Sequence, residues 1–148
     1  MARINKTTTF IQLPKSPINY IAAILKGVAL SIIISIICAL ILSVIVFVSD
    51  SGRIDEYLGY IMLGVTLVGI FAGSAYAARK IANGSVNSNI GAGNALLVGI
   101  SIGIIYVLFS VGISSDLGQN QILLPMLGNK IAAGSLAGAL GGFIGINI

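Results

Sequence analysis

The sequence predicts an all-α integral membrane protein, a four-helix bundle whose helices pack tightly through small residues spaced four apart. Three observations predict it. Apolar residues make up 57% of the chain and charged residues only 8%, where a soluble domain carries roughly one quarter charged. The charges are placed so that four long runs contain few or none of them, each close to the length that a bilayer demands. Along those runs glycine, alanine and serine recur at every fourth position. A water-soluble core of this size has no room for so much apolar surface. The net charge of +4 reads as topology rather than nucleic-acid binding, because Lys and Arg sit at the span ends and form no basic face with aromatic platforms.

Residues 1–15 read as a short cytoplasmic tail, with Arg3, Lys6 and Lys15 and no acid among them. Residues 16–148 form a single transmembrane domain with spans at about 18–48, 57–78, 90–113 and 126–148. Ser16 supplies an N-cap and Pro17 the first helical position, where its missing N–H costs nothing. The uncharged part of the first span, Gly27 to Val48, covers roughly 33 Å at about 1.5 Å per residue. That is too long for the apolar region of a signal peptide, and no small-x-small cleavage site follows, so the span is read as a permanent anchor. Lys26 and Tyr20 anchor its inner edge. Cys38, the only cysteine, lies mid-span without a disulfide partner and reads as a packing residue.

The turn from Ser49 to Glu56 is placed outside, with Asp50, Asp55 and Glu56 outnumbering Arg53. Asp55 and Glu56 stand where carboxylates are favoured by the exposed amides of a starting helix; a cation site built from the three acids is the rival reading. Span two, Tyr57 to Ala78, has Tyr57 and Tyr60 at one end and Tyr76 at the other, in keeping with aromatic belts. Arg79 and Lys80 close it at the inner face, and Asn and Gly in the following turn allow reversal. The N-x-S/T sequons at Asn5 and Asn83 fall on the cytoplasmic side and read as chance matches. Span three, Ile90 to Ile113, has no charge and only Asn94, Ser101 and Ser110 as clearly polar side chains. In the fourth, Pro125, Gly128 and Asn129 suggest a break near the outer surface, followed by a span from Lys130 to Ile148. A helix beginning near Ile122 is the alternative, and it carries Lys130 about two turns into the membrane, where a charge is by default a functional candidate. In the first case Lys130 snorkels to the interface. Lys26 and the tail give four positive residues and Arg79 with Lys80 two more, against Arg53 and Lys130 on the other face. Six against two places both termini in the cytoplasm.

The small-residue stripes are Gly27, Ser31, Ser35, Ala39 and Ser43 in span one, then Gly69, Gly73 and Ala77 in span two. Span three has Gly91, Ala95, Gly99 and Gly103, and span four Gly134, Gly138 and Gly142. Where apolar surface gains nothing by leaving water, such stripes let backbones approach and recover dispersion contacts. A second stripe on the fourth helix, Ala133, Ala137, Gly141 and Gly145, gives it two small faces. The sequence leaves open whether that helix is central in the monomer or half of a homo-oligomer interface. A conduction path lined by the glycines is a further alternative.

The AARK segment ending at Lys80, Gly93–Asn94, LLVG from Leu96 to Gly99, IIY ending at Tyr106 and GGFIGIN from Gly141 to Asn147 resemble the YrzE-like family of bacterial four-span membrane proteins. The likeness runs from about Lys26 to the C-terminus. It implies a bacterial cell membrane and no particular reaction.

Several functions lack their parts. There is no histidine, and no acid lies inside a span, so hydrolytic triads, zinc sites and a carboxylate proton relay are not expected. No glycine run ends in the Gly-Lys-Ser/Thr of a phosphate-binding loop. The expectation is a non-enzymatic protein without cofactor or metal, acting as a structural or accessory subunit through helix packing. Its partners are the bilayer and either a second copy or another membrane protein. The alternative is a small oligomeric channel or transporter with Lys130, Asn94, Asn147 or the hydroxyls of Ser31, Ser35 and Ser43 facing a pathway.

Overall fold

The computed structural model describes residues 17–49, 54–84, 92–116 and 124–148, with side chains described for 20–48, 59–83, 92–112 and 127–148. The tail, the side chains of Asp50, Asp55, Glu56 and Tyr57, and the turns at 85–91 and 117–123 lie outside these residues. All that is described is helical apart from the last three residues: α1 (Pro17–Ser49), α2 (Ile54–Gly84), α3 (Ala92–Asp116) and α4 (Leu124–Gly145). Short separations between successive helices force an up-down-up-down path. The amino end of α1, the α2–α3 connection and the carboxyl end of α4 therefore share one end of the bundle, here the Lys26 end. The opposite, Lys130 end carries the α1–α2 and α3–α4 connections.

Among the described residues three helices are long and apolar enough to cross a membrane, over Tyr20–Val48, Gly59–Asn83 and Ala92–Gly112. The fourth differs from the sequence expectation on this measure. Its glycines contribute little hydropathy, and Asn129 and Lys130 lie in its first turns. Its start lies close to the alternative near Ile122, without the break at Pro125, Gly128 and Asn129. The helix runs unbroken from Leu124 through Pro125, Gly128, Asn129 and Lys130. Pro125 is the second residue of the first turn, where a proline has no intrahelical hydrogen bond to lose. At the other end the chain is tied off by Asn147, whose backbone N–H donates to Ile144 O at 2.9 Å and whose Nδ2 donates to Phe143 O at 2.7 Å. These bonds satisfy carbonyls that a helix end otherwise leaves open.

In cross-section the helices make a rhombus. The α2 and α3 helices touch each other and both neighbours, while α1 and α4 do not meet among the described residues. Two apolar clusters fill the interior. Ala23, Val28, Ala77, Ile81, Val98 and Ile102 join α1, α2 and α3; Ile70, Tyr106 and Val107 join α2 and α3 to Ile131 and Ala137 of α4. Ile32 packs against both clusters. Ile70 and Ile102 are fully enclosed, so apolar side chains occupy the bundle axis. The outward faces are apolar as well, with Leu25, Ile36, Leu40, Val68, Leu97, Phe109, Leu136 and Phe143 all exposed. Such a surface is costly in water and ordinary in lipid.

Candidate functional site

Two seams of small residues hold α2 at its closest to α1 and α3 at its closest to α4. On the first, a Cβ built on Gly73 would fall on Ser31 Oγ and Gly27 O, and one on Gly69 would fall on Ser35 Oγ and lie 2.8 Å from Ser31 O. One built on Gly27 would lie 2.9 Å from both Ala77 Cβ and Gly73 O. On the second seam the contacts are backbone to backbone: Gly99 with the carbonyl of Gly138, Gly103 with that of Gly134, and Gly142 with that of Ala95. The other small face of α4 meets α2, where Gly141 abuts the Phe71 carbonyl and Gly145 that of Ala75. Both small faces of α4 thus meet helices of the same chain.

Both seams end before the Lys130 end of the bundle. On α2 the four-residue series Ala77, Gly73, Gly69 continues to Val65; on α3 the series Ala95, Gly99, Gly103 continues to Val107. On α4 the series Gly142, Gly138, Gly134 continues to Lys130. Branched or long side chains take the next position of each series, Val107 facing Lys130 on the α3–α4 seam and Val65 ending the α2 side of the other, so backbones can no longer meet. The bundle is tight toward the Lys26 end and open beyond Ile70, Val107 and Gly134.

The opening is a groove of about 190 Å³ between the Lys130-end halves of α2, α3 and α4. Gly59, Met62, Leu63, Thr66 and Leu67 line it from α2, Ser110 and Val111 from α3, and Lys130 and Ala133 from α4, with Ile70, Val107 and Gly134 as its floor. At that floor a Cβ on Gly134 would lie 2.8 Å from Val107 Cγ2 and 3.5 Å from Ile70 Cδ1. The Thr66 hydroxyl is turned back onto its own helix, donating to Met62 O at 2.9 Å. Lys130 is exposed and brings the groove its positive charge.

The other residues singled out from the sequence do not gather around the groove. Asn94 is buried (7% exposed) near the start of α3, beside Ala95 and hence level with Gly142. Lys130 lies twelve residues before Gly142 on α4, roughly 18 Å along the axis. Ser31 is buried in the α1–α2 seam with its hydroxyl donating to Gly27 O at 2.9 Å, and Ser35 is buried there without a hydrogen-bond partner among the described residues. Ser43 is exposed on a stretch of α1 that has few neighbours, and Asn147 caps α4. Cys38 is half-buried and unpaired with any other cysteine. Lys26 and Arg79 are exposed near the Lys26 end; Lys80 there donates to Tyr76 Oη at 3.3 Å and sits 5.5 Å from the ring centre. Among the described residues no three His, Cys, Asp or Glu side chains come together.

The groove was missed in the sequence although a signal was present. Lys130 occupies the next register position of the Gly134, Gly138 and Gly142 series, and a lysine where a seam requires a small residue marks the point at which two helices must part.

No curated protein and no solved structure matches the chain. Residues 20–145 match the model of a family described as a protein of unknown function, DUF3792. The match takes in all of the described seam glycines, both apolar clusters and the groove, and the chain belongs to that family.

Proposed function

We propose that this is a four-span protein of the bacterial cell membrane, with both chain ends cytoplasmic, whose small-residue seams make a rigid scaffold serving as a structural or accessory subunit. Its partner is another membrane protein or a second copy. The observation that carries the scaffold reading is the filled axis: Ile70 and Ile102 are wholly enclosed between seams in which glycine backbones touch. Close contact of this kind is what holds helices together in lipid, where burying apolar surface brings no hydrophobic gain. The likeness to the YrzE-like family supports the bacterial membrane, and the six-to-two charge bias supports the orientation. Because the stripes of α2, α3 and α4 are engaged inside the chain, an association with another protein falls on remaining faces. The largest of these is α1 from Ile36 to Val48, exposed over most of its circumference.

The test is the mass and composition of the complex extracted from native membranes into lipid nanodiscs. A stoichiometric second protein or a defined homo-oligomer supports the reading; a lone monomer under every mild condition contradicts it. A small channel or transporter is the second reading, favoured by the groove that opens at the Lys130 end. It requires water to reach the seam below. Labelling of Ser35→Cys by a membrane-impermeant thiol reagent, in a Cys38→Ala background, supports transport and refutes the packed scaffold.

A further inference from the structure

We infer that the groove between α2, α3 and α4 holds an acyl chain of an anionic phospholipid, with the lipid phosphate against the Lys130 ammonium. The inference rests on the bilayer reading above. It is independent of which face of the membrane the Lys130 end occupies.

Three features point to this occupant. The groove walls are mostly apolar, with Thr66 and Ser110 as their hydroxyl side chains, and the Thr66 hydroxyl is already engaged by Met62 O. The volume of about 190 Å³ equals roughly six waters of bulk liquid, below the 300 Å³ or so at which pockets begin to enclose whole drug-sized ligands. A segment of hydrocarbon chain fits such a groove. Lys130 stands on the second turn of α4, about 9 Å along the axis from Leu124, and its flexible stem lets the ammonium climb toward headgroup depth. An ammonium at the rim of an apolar slot recognises an amphiphile with an anionic head. A free anion makes no use of the walls, and a choline headgroup presents a cation to the lysine.

The groove also follows from the register. A glycine at position 130 would continue the α3–α4 seam, whereas a lysine holds the helices apart and supplies the charge that a lipid phosphate satisfies.

The experiment is native mass spectrometry of the full chain in detergent, titrated with palmitoyl-oleoyl phosphatidylglycerol or the matching phosphatidylcholine. The expected result is one phosphatidylglycerol retained per chain, with a preference over phosphatidylcholine on the order of tenfold, the scale of one charge-assisted contact. Lys130→Ala should reduce that preference to about twofold or less, and Lys130→Glu should reverse it. Gly59→Phe should abolish retention of both lipids by filling the groove. A Cβ at Gly59 meets nothing within 4 Å, so this variant tests the site with the seams intact. Equal retention of the two lipids overturns the inference. So does unchanged preference in Lys130→Glu and Gly59→Phe, or displacement of the lipid by millimolar inorganic phosphate. An ion pair from Asp55 or Glu56 to Lys130 would appear as indifference to headgroup charge, which overturns it equally. Assembly into nanodiscs checks the bilayer reading separately: a chain that stays out of discs refutes that reading, whereas one that enters discs without lipid preference refutes only the inference.

Discussion

Replacing Gly138 by alanine adds a single methyl group to the middle of the α3–α4 seam. The methyl would overlap the carbonyl oxygen of Gly99 and lie 2.8 Å from its carbon and 3.4 Å from Gly103 N, where ordinary contacts of a Cβ fall between 3.4 and 4 Å. These obstacles are backbone atoms of another helix, so no rotamer change relieves them. The helices must separate by about 1 Å, and a gap of that size forfeits roughly a quarter to a half of each dispersion contact along the seam. Overpacking of this kind costs about 1–3 kcal/mol, against which alanine recovers up to about 1 kcal/mol of helix propensity. The expected net loss is about 1 kcal/mol. Gly59→Ala and Gly64→Ala are the controls, since a Cβ at either position meets nothing within 4 Å. Each should be neutral or stabilising by up to about 1 kcal/mol. The assay is reversible unfolding from mixed micelles by increasing sodium dodecyl sulfate, followed by circular dichroism. If Gly138→Ala unfolds at the same detergent fraction as the controls, the seam does not hold α3 to α4 and the reasoning fails.

Further perturbations separate the polar features of the bundle. Ser74 is fully buried with its hydroxyl unpartnered among the described residues, so Ser74→Ala should be neutral or stabilise by up to about 1 kcal/mol in the same unfolding assay. Ser31→Ala, which removes a buried hydrogen bond to Gly27 O, should cost about 0.5–1 kcal/mol. Asn147→Ala should raise amide hydrogen exchange in the last turn of α4 and leave the seams untouched, because only the bond to Phe143 O is lost. The α4 segment, poor in hydropathy by virtue of its glycines and Lys130, should insert weakly on its own in a translocon assay. Lys130→Leu should improve that insertion by about 2 kcal/mol.

The helices were legible in the sequence because charge-free runs of bilayer length leave little else for the chain to do. Pro17 marked where α1 begins. The partners of the stripes were only partly legible. Spacing shows that Gly69, Gly73 and Ala77 share a face of α2, yet a one-dimensional pattern does not say which helix that face meets. For α4, with two small faces, it left monomer and oligomer equally open. For α4 the sequence left two starts open, near Ile122 and at Lys130; the helix begins at Leu124, close to the first, because Pro125 falls in the first turn where it is tolerated, and no local signal tells that setting from a mid-helix one. The groove depends on the α3–α4 seam losing its small residues on both helices at one height, where Val107 faces Lys130. That coincidence becomes visible only when the helices stand side by side, although Lys130 in the glycine register was its trace. Ser35 and Ser74, with unpartnered buried hydroxyls, carry no sequence signal that distinguishes them from Ser31, which bonds its own helix.

A four-span scaffold requires α4 to cross the bilayer together with the three more apolar helices, and side-specific labelling tests that directly. In a Cys38→Ala background, single cysteines are placed at Asn129 and at Ile148, both exposed and at opposite ends of α4. They are then treated with an impermeant maleimide applied to intact cells. The expected result is labelling of Asn129→Cys from outside, and of Ile148→Cys only after the membrane is permeabilised. Labelling of both positions from the same side would contradict a crossing α4.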